Sequence, residues 1–140
     1  MPAADCIFCS IIAGDTEAEI VYADPGAVAF LDHRPLFHGH VLLCPREHHE
    51  TLADLPAEQV EPLFLLARRL SVAVRDAMGA KGSFVAINNA VSQSVPHLHV
   101  HVVPRTKGDG LRGFFWPRTR YEAEDELAAA GAAIRAELEG

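Results

Sequence analysis

Three histidines stand at two-residue spacing in one short stretch, with apolar residues in the positions between them. The stretch reads Val95-Pro96-His97-Leu98-His99-Val100-His101-Val102-Val103-Pro104. Side chains of an extended strand alternate between its two faces, so the imidazoles share one face and the apolar side chains share the other. At roughly 3.3 Å of rise per residue, neighbouring imidazoles start about 6 to 7 Å apart. The pattern predicts a strand over 95–103 with a core face and a chemically active face.

The chemistry of imidazole suits such a face. With a pKa of about 6.5, it serves near neutral pH as nucleophile, general acid, general base or metal ligand. The alternative is a polar strand face whose histidines only make hydrogen bonds. That alternative explains one histidine well and three poorly, because burial of several titratable rings is costly unless each finds a partner. We therefore expect catalysis or binding on this strand.

Length and charge limit the classes of protein that this chain can represent. With 140 residues it is the size of one domain, and we expect a single domain over residues 1–140. The net charge of −7 argues against broad contact with a polynucleotide backbone but allows one nucleotide in a local pocket. No apolar run approaches the ~20 residues of a membrane helix, and the first residues lack the features of a secretory signal. The sequence predicts a cytoplasmic protein without membrane contact.

The predicted elements follow the order β-β-β-α-β-β-α. Turn residues Asp24-Pro25-Gly26 separate two β-prone runs, 19–23 and 27–32, as in a hairpin. Apolar residues recur at three- and four-residue steps over 56–78, which predicts a long helix with Pro62 as a kink or a later start. Further strands are expected at 40–44, 83–87 and 95–103, and a last helix at 122–138. This order favours an α+β fold with a mainly antiparallel five-stranded sheet, one long central helix and a C-terminal helix.

A Cys-x-x-Cys pair, Cys6 and Cys9, lies close to the N-terminus. This is the spacing at which two thiolates on a tight turn reach one tetrahedral zinc ion. A redox-active pair is expected after a strand of a βαβ unit, and no strand is predicted before Cys6. Two buried cysteines acting as small hydrophobic side chains are the other alternative, which we also expect for Cys44.

A zinc site at this pair needs two further ligands. The candidates are His48 or His49, which follow Pro45-Arg46-Glu47, together with one histidine of the triad. His97 is the natural choice, because it begins the predicted strand and leaves His99 and His101 free for other chemistry.

The stretch 97–103 resembles the signature of the histidine triad family, His-φ-His-φ-His-φ-φ, in which φ is apolar. Segments similar to the other landmarks of the family occur in the expected order, from residue 6 to about residue 116. They are Cys6-Ile7-Phe8-Cys9-Ser10-Ile11-Ile12-Ala13-Gly14, Ala29-Phe30-Leu31-Asp32, Gly39-His40, Pro45-Arg46-Glu47-His48, Gln93-Ser94-Val95 and Pro104-Arg105. The resemblance implies an α+β domain, a homodimer, and hydrolysis or transfer at the α-phosphate of an AMP- or GMP-type nucleotide that bears a leaving group.

The resemblance also implies roles for individual residues. His99 would attack the α-phosphorus and carry the nucleotidyl group, which divides one difficult displacement into two easier ones. His101 would hydrogen-bond or protonate beside the phosphate, with His40 as a supporting histidine. Asp32 would accept hydrogen bonds from the ribose, or else be a turn carboxylate at a strand end. The remaining implied nucleotide contacts are Asn88, Gln93 and Ser94.

In zinc-bearing members of the family, the ligands correspond to Cys6, Cys9, His48 and His97. This implies one structural zinc ion per chain and selects His48 over His49. A metalloenzyme in which all three triad histidines hold a catalytic metal is a different reading of the same strand, since His-x-His strands can bind metal in that way. The cysteine pair already offers zinc a better site.

The chain departs from the family pattern in the loop before Gln93. Glycine is usual there, where the backbone approaches the phosphate, whereas this loop carries Ala90, Val91 and Ser92 and looks shortened. Close backbone approach is harder without glycine. A nucleotide-binding, zinc-stabilised interaction protein with incidental catalysis is therefore the second hypothesis beside the hydrolase. The long helix and the aromatic cluster at 114–116 are the expected dimer interface, although a core anchor is the alternative for the cluster.

Overall fold

The structure is a computed structural model that describes residues 4–112 and 117–140. The described chain divides between Asp109 and Gly110 into two compact units. The first unit carries the cysteine pair and the triad, and the second carries a helix over Glu124–Glu139. The aromatic cluster at 114–116 lies outside the described residues, and the expectation of a single domain over 1–140 stays a prediction.

The first unit is built on a five-stranded sheet in which every neighbouring pair is antiparallel. The strand order is β1-β2-β3-β5-β4. This architecture confirms the predicted α+β fold. In chain order the elements are α1 (Ile7–Ala13), β1 (Ile20–Ala23), β2 (Ala27–Leu31), β3 (Val41–Pro45), α2 (Ala57–Ala77), β4 (Gly82–Ala86), β5 (Val100–Arg105) and, in the second unit, α3 (Glu124–Glu139), with a 3₁₀ turn at Leu52–Asp54.

The hairpin of β1 and β2 is closed by the carboxylate of Asp24. Its Oδ1 accepts hydrogen bonds from the backbone N–H groups of Gly26 at 2.7 Å and Ala27 at 2.8 Å. An aspartate that binds backbone groups two and three residues ahead stabilises a tight turn, as its position in the sequence predicts. These hydrogen bonds also hold the pKa of Asp24 below its ordinary value, although burial acts in the opposite direction.

Helix α2 starts at Ala57, so Pro62 lies inside the helix and does not mark a later start. Proline there removes one helical hydrogen bond in the second turn. The buried face of the helix is Leu63, Leu66, Ala67, Leu70 and Val74, which recur at three- and four-residue steps.

Among the described residues, no helix combines the length and apolar character needed to cross a membrane.

Alternation along the strands creates two apolar layers, one on each face of the sheet. Ala29, Leu43 and Val100 belong to the layer that includes the buried face of α2. Phe30 and Cys44 belong to the layer that includes α1, where Phe8 packs edge-on against Phe30 at 5.3 Å between ring centroids. The triad histidines therefore emerge on the α1 face, because the apolar residues between them fill the α2 face.

The structure differs from the predicted elements in two places. Helix α1 was not predicted, because seven residues are too few to show a helical period. At its start, the Cys6 side chain accepts a hydrogen bond from Cys9 N–H. The helix ends before Gly14, which has φ of 86°. Strand β5 begins at Val100 and not at Val95. Residues 95–99 lack ladder hydrogen bonds to β3, although Leu98 N–H donates to the carbonyl of His49 at 2.6 Å.

Candidate active site and metal centre

The triad histidines keep their alternating faces even though only His101 lies within β5. Leu98 and Val100 are fully buried in the α2 layer. His99 and His101 line a pocket on the opposite face, with their ring centroids 4.9 Å apart. The alternation predicted from the sequence is therefore present, and it extends beyond the hydrogen-bonded strand.

His99 is held in one tautomer by the backbone. Its Nδ1–H donates to the carbonyl oxygen of His97 at 2.7 Å, so the lone pair is on Nε2. The side chain is 3% exposed, and burial lowers its pKa below the ordinary value of 6.5. A neutral imidazole with a free Nε2 lone pair at the pocket is suited to nucleophilic attack.

His40 and His101 form a second, directed pair. The backbone N–H of Leu36 donates to Nδ1 of His40 at 3.1 Å, so the proton of His40 is on Nε2. That Nε2–H donates to Nδ1 of His101 at 3.0 Å, which places the proton of His101 on its own Nε2. The 3.9 Å approach of His40 Nδ1 to Asp32 is therefore not an ion pair, and burial lowers the pKa of His40. His101 therefore carries an N–H donor at Nε2, and its ring centroid lies 4.9 Å from that of His99.

Burial, together with the neighbouring His99 and His40, lowers the pKa of His101 to about 4. Between pH 6.5 and about 4 the unfolded chain thus binds a proton at this residue that the native protein does not bind. Stability should therefore fall as the pH falls through this window. We expect the melting temperature of a His101→Asn variant to depend less on pH than that of the parent in thermal denaturation from pH 7 to pH 4.5.

Asparagine suits this test because its side-chain oxygen can still accept from His40. His38→Asn is the matched control, since His38 is exposed and should leave the pH dependence unchanged. Equal slopes for the parent and His101→Asn would contradict the assignment of a low pKa to His101.

The pocket has a volume of about 760 Å³ and is bounded by α1, β2 and the triad segment. One part of its wall is apolar, with Phe8, Ile11 and Phe30, and the other carries His99 and His101. A cavity of this size with convergent polar groups at one end is typical of a small-molecule site. An apolar wall beside neutral imidazoles suits a flat base joined to a phosphate ester.

Asp32 and Ser94 also line this pocket, as the site prediction requires. Asp32 directly follows β2, and its Oδ1 accepts from Arg34 N–H at 2.9 Å. Its carboxylate is partly exposed. The structure therefore brings Asp32, Ser94, His99 and His101 to one cavity, with His40 behind His101.

Asn88 and Gln93 are not among the described residues that line the pocket. Asn88 is exposed just after β4. The Gln93 side chain is bonded to backbone groups of Ala90 and Glu50. Their assignment as nucleotide contacts stays a prediction.

Cys6, Cys9, His48 and His97 form a cluster in which one ligand atom of each residue lies within 4.8 Å of the others. The Sγ of Cys9 lies 3.4 Å from Nδ1 of His48 and 3.5 Å from Nδ1 of His97. Three of the four side chains are buried, and His48 is half-buried. The four residues named from the sequence thus converge on one point.

The donor set of this cluster fits a metal ion, and zinc in particular. His97 Nε2–H donates to the carbonyl of Pro45 at 2.9 Å, which leaves Nδ1 directed at the cysteines as a ligand lone pair. Burial raises the pKa of the Cys6 thiol, so a thiolate at this position requires a cation to stabilise it. Two thiolates and two imidazoles are a common closed tetrahedral zinc site.

Phe8 is a site residue that sequence reasoning missed. It lies between the two cysteines on α1, and its ring meets His99 edge-on at 5.0 Å between centroids. This contact joins α1 to the triad segment, so it exists only in the tertiary fold. The sole signal in the sequence is its position inside the Cys-x-x-Cys pair.

Comparison with known proteins agrees with this geometry. The model of the HIT domain matches residues 13–108. An uncharacterised HIT-like protein of Mycobacterium tuberculosis, MT1300, is 40% identical over 108 residues, which are 76% of this chain and 75% of that protein. The adenylylsulfatase HINT3 of Arabidopsis thaliana is 35% identical over 109 residues, 76% of this chain and 55% of that protein.

A solved structure adds the metal to the comparison. The zinc-bound histidine triad family protein of Mycobacterium smegmatis superposes with a TM-score of 0.73 at 35% identity, and the match covers 96% of each chain. The family match spans more than half of the chain, and it includes the pocket histidines as well as the β-sheet that carries them. The chain therefore belongs to the histidine triad family.

Proposed function

We propose that this protein is a nucleotide hydrolase or transferase that acts at the α-phosphate of nucleoside monophosphate derivatives. The substrates are of the phosphoramidate or dinucleoside polyphosphate type, with an AMP or GMP moiety. The observation that carries the proposal is the His99 Nε2 lone pair, held beside the His101 N–H donor in a pocket with an apolar wall. Membership of a family that includes an adenylylsulfatase supports it.

In the proposed reaction, the Nε2 lone pair of His99 forms a bond to the α-phosphorus while the bond from phosphorus to the leaving group breaks. The leaving group departs with that electron pair and takes up a proton from solvent. Water then attacks the phosphorus and releases a proton to solvent, the electron pair of the bond from phosphorus to His99 returns to Nε2, and the nucleoside monophosphate leaves. The His97 carbonyl stabilises the positive charge that develops on the His99 ring, because it accepts the Nδ1–H throughout.

His101 and Asp32 hold the substrate in this proposal. The Nε2–H of His101 donates to a non-bridging phosphate oxygen and so offsets charge that develops there. The Asp32 carboxylate, which also lines the pocket, accepts hydrogen bonds from the ribose hydroxyls. His40 acts through His101, since its Nε2–H keeps the acceptor nitrogen of His101 turned away from the phosphate.

We further propose that Cys6, Cys9, His48 and His97 hold one structural zinc ion. A closed site of four protein ligands supplies folding energy and leaves no position for substrate. The ligands come from α1, from the segment after β3, and from the triad segment, so the ion joins three parts of the chain around the pocket.

The test of the activity is turnover of a fluorogenic AMP phosphoramidate by the purified protein. A hydrolase releases the fluorophore and AMP in equal amounts over many turnovers. A nucleotide-binding protein with incidental catalysis binds AMP in calorimetry but releases little fluorophore. The second outcome would contradict the proposed enzyme activity.

A homodimer is part of the proposal, with the outer face of α2 in the interface. Leu65 and Val72, seven residues apart on this face, are 47% and 45% exposed and offer apolar surface to a second copy of the chain. We expect light scattering at micromolar concentration to give about twice the 15.2 kDa chain mass. A Leu65→Glu variant should shift the mass toward one chain, whereas Asp15→Asn, at an exposed position outside this helix, should not. A monomeric parent would contradict the dimer.

A further inference from the structure

The side-chain amide of Gln93 is bonded at both of its ends to the protein backbone. Its Oε1 accepts from Ala90 N–H at 3.0 Å, and its Nε2–H donates to the carbonyl of Glu50 at 2.7 Å. The first bond closes the loop that precedes the triad, and the second ties that loop to the segment after β3. These bonds use Oε1 and one of the two Nε2–H groups, and Gln93 is not among the described residues that line the pocket.

A second side chain fastens the same two segments together. Leu52 N–H donates to Oδ1 of Asn89 at 2.8 Å. Together, Asn89 and Gln93 therefore hold the loop at both ends against residues 50–52. We call this pair of side chains the polar clasp.

The loop held by the polar clasp has an unfavourable backbone. Ala90 has φ of 68° and Ser92 has φ of 61°, both in the left-handed region that residues with a Cβ disfavour. Such conformations persist only where the surrounding structure imposes them. The Gln93 bond to Ala90 N–H acts directly on one of these residues, and Ser92 is adjacent to Gln93 in the chain.

We propose that Gln93 is a positioning residue that holds the left-handed loop 90–92, so that Ser94 and His99 face the phosphate. Gln93 does not itself contact the phosphate. In the absence of glycine, the clasp supplies the rigidity that this loop conformation requires. The expected effect of Gln93 on catalysis rests on the proposed function, whereas its role in holding loop 90–92 does not.

The first experiment uses the ligand-free protein. Replacing Gln93 by alanine should increase the hydrogen-exchange rate of the Ala90 amide in NMR spectra and lower the melting temperature. In an Ala90→Gly, Ser92→Gly background, the same replacement should lower the melting temperature less, because glycine adopts positive φ without strain. Unchanged exchange, or an equal loss of melting temperature in both backgrounds, would overturn the proposal.

The second experiment separates positioning from direct contact with the phosphate. For Gln93→Ala we expect kcat on the AMP phosphoramidate to fall roughly tenfold to a hundredfold, because small misplacements of reacting groups are costly. The dissociation constant of AMP should change much less than kcat, and the two glycine substitutions should restore part of kcat. If AMP binding instead weakens by the factor that kcat loses, Gln93 contacts the phosphate and the proposal is wrong.

Two further variants complete the design. Gln59→Ala is the matched control, because Gln59 is a glutamine whose Nε2–H reaches only the exposed Glu47; it should leave kcat and loop exchange unchanged. If Gln93→Ala does not fold, Gln93→Asn keeps an amide that is too short to reach both partners, and the same measurements apply. A parent that does not cleave the phosphoramidate would refute the proposed function, while the exchange and melting data would still decide the role of Gln93.

Discussion

Replacing His99 by alanine is expected to reduce turnover of an AMP phosphoramidate by at least about a thousandfold, with little change in AMP affinity. The lost group forms its decisive bond only during the reaction, so its removal raises the barrier without removing ground-state binding. The fold should persist, because the apolar layers on both faces of the sheet do not depend on this imidazole. Steady-state kinetics and AMP calorimetry on the same preparations measure both quantities.

Free imidazole sharpens the test of His99. A His99→Gly variant leaves a gap at the side of the pocket where Phe8 packs, and added imidazole should restore part of the turnover by filling it. His38→Ala, at an exposed position, is the control for general effects of histidine removal. Parental turnover in His99→Ala would rule out the covalent mechanism and favour attack by an activated water.

Replacing both Cys6 and Cys9 by serine is expected to remove the metal and lower the melting temperature by at least about 10 °C, because metal binding contributes directly to the free energy of folding. Elemental analysis of the tag-free parent should show close to one zinc per chain, and the double variant close to none. The Sγ atoms of Cys6 and Cys9 each lie 3.5 Å from Nδ1 of His97, and an ion would replace these weak contacts between α1 and the triad segment with coordination bonds. The effect should therefore exceed that of removing two hydrogen bonds.

Cys44 provides the control for the zinc prediction. It is a free, fully buried cysteine in the same apolar layer, and it does not belong to the four-residue cluster. Cys44→Ala should keep the zinc content of the parent and lose only packing. Equal zinc content in the parent and in the Cys6→Ser, Cys9→Ser variant would refute the assignment of these ligands.

Local patterns were enough to predict most elements of the sheet and the shared face of the triad histidines, whereas Asp32, His40 and Ser94 were named from the family resemblance. Period-two alternation in the triad segment assigns Leu98 and Val100 to the core and the histidines to the opposite face, wherever the strand begins. Residues close together in the sequence likewise predict the turn at Asp24 and the helix α2. Helix α1 was not predicted, because it is stabilised by the packing of Phe8 and Cys9 in the core and is too short to show a helical pattern of apolar residues.

The hydrogen-bond directions in the site depend on contacts that no local pattern contains. His40 and His101 are 61 residues apart in the chain, and the tautomer of His101 depends on a backbone N–H at Leu36. Cys6 and His97 are 91 residues apart. Such contacts form only when β3 and β5 pair and α1 closes over them.

By itself, the sequence determined which side chains of the triad segment share a face, because spacing along an extended chain decides this. Tertiary structure alone decided how each side chain is used. It turned the Gln93 amide to the backbone of Ala90 and Glu50, and it directed the Nδ1–H of His99 to a carbonyl and its lone pair to the pocket. The physical reason is that a hydrogen-bonding group takes its direction from the partner that folding brings to it, and those partners lie on other segments of the chain or on backbone atoms whose orientation the fold determines.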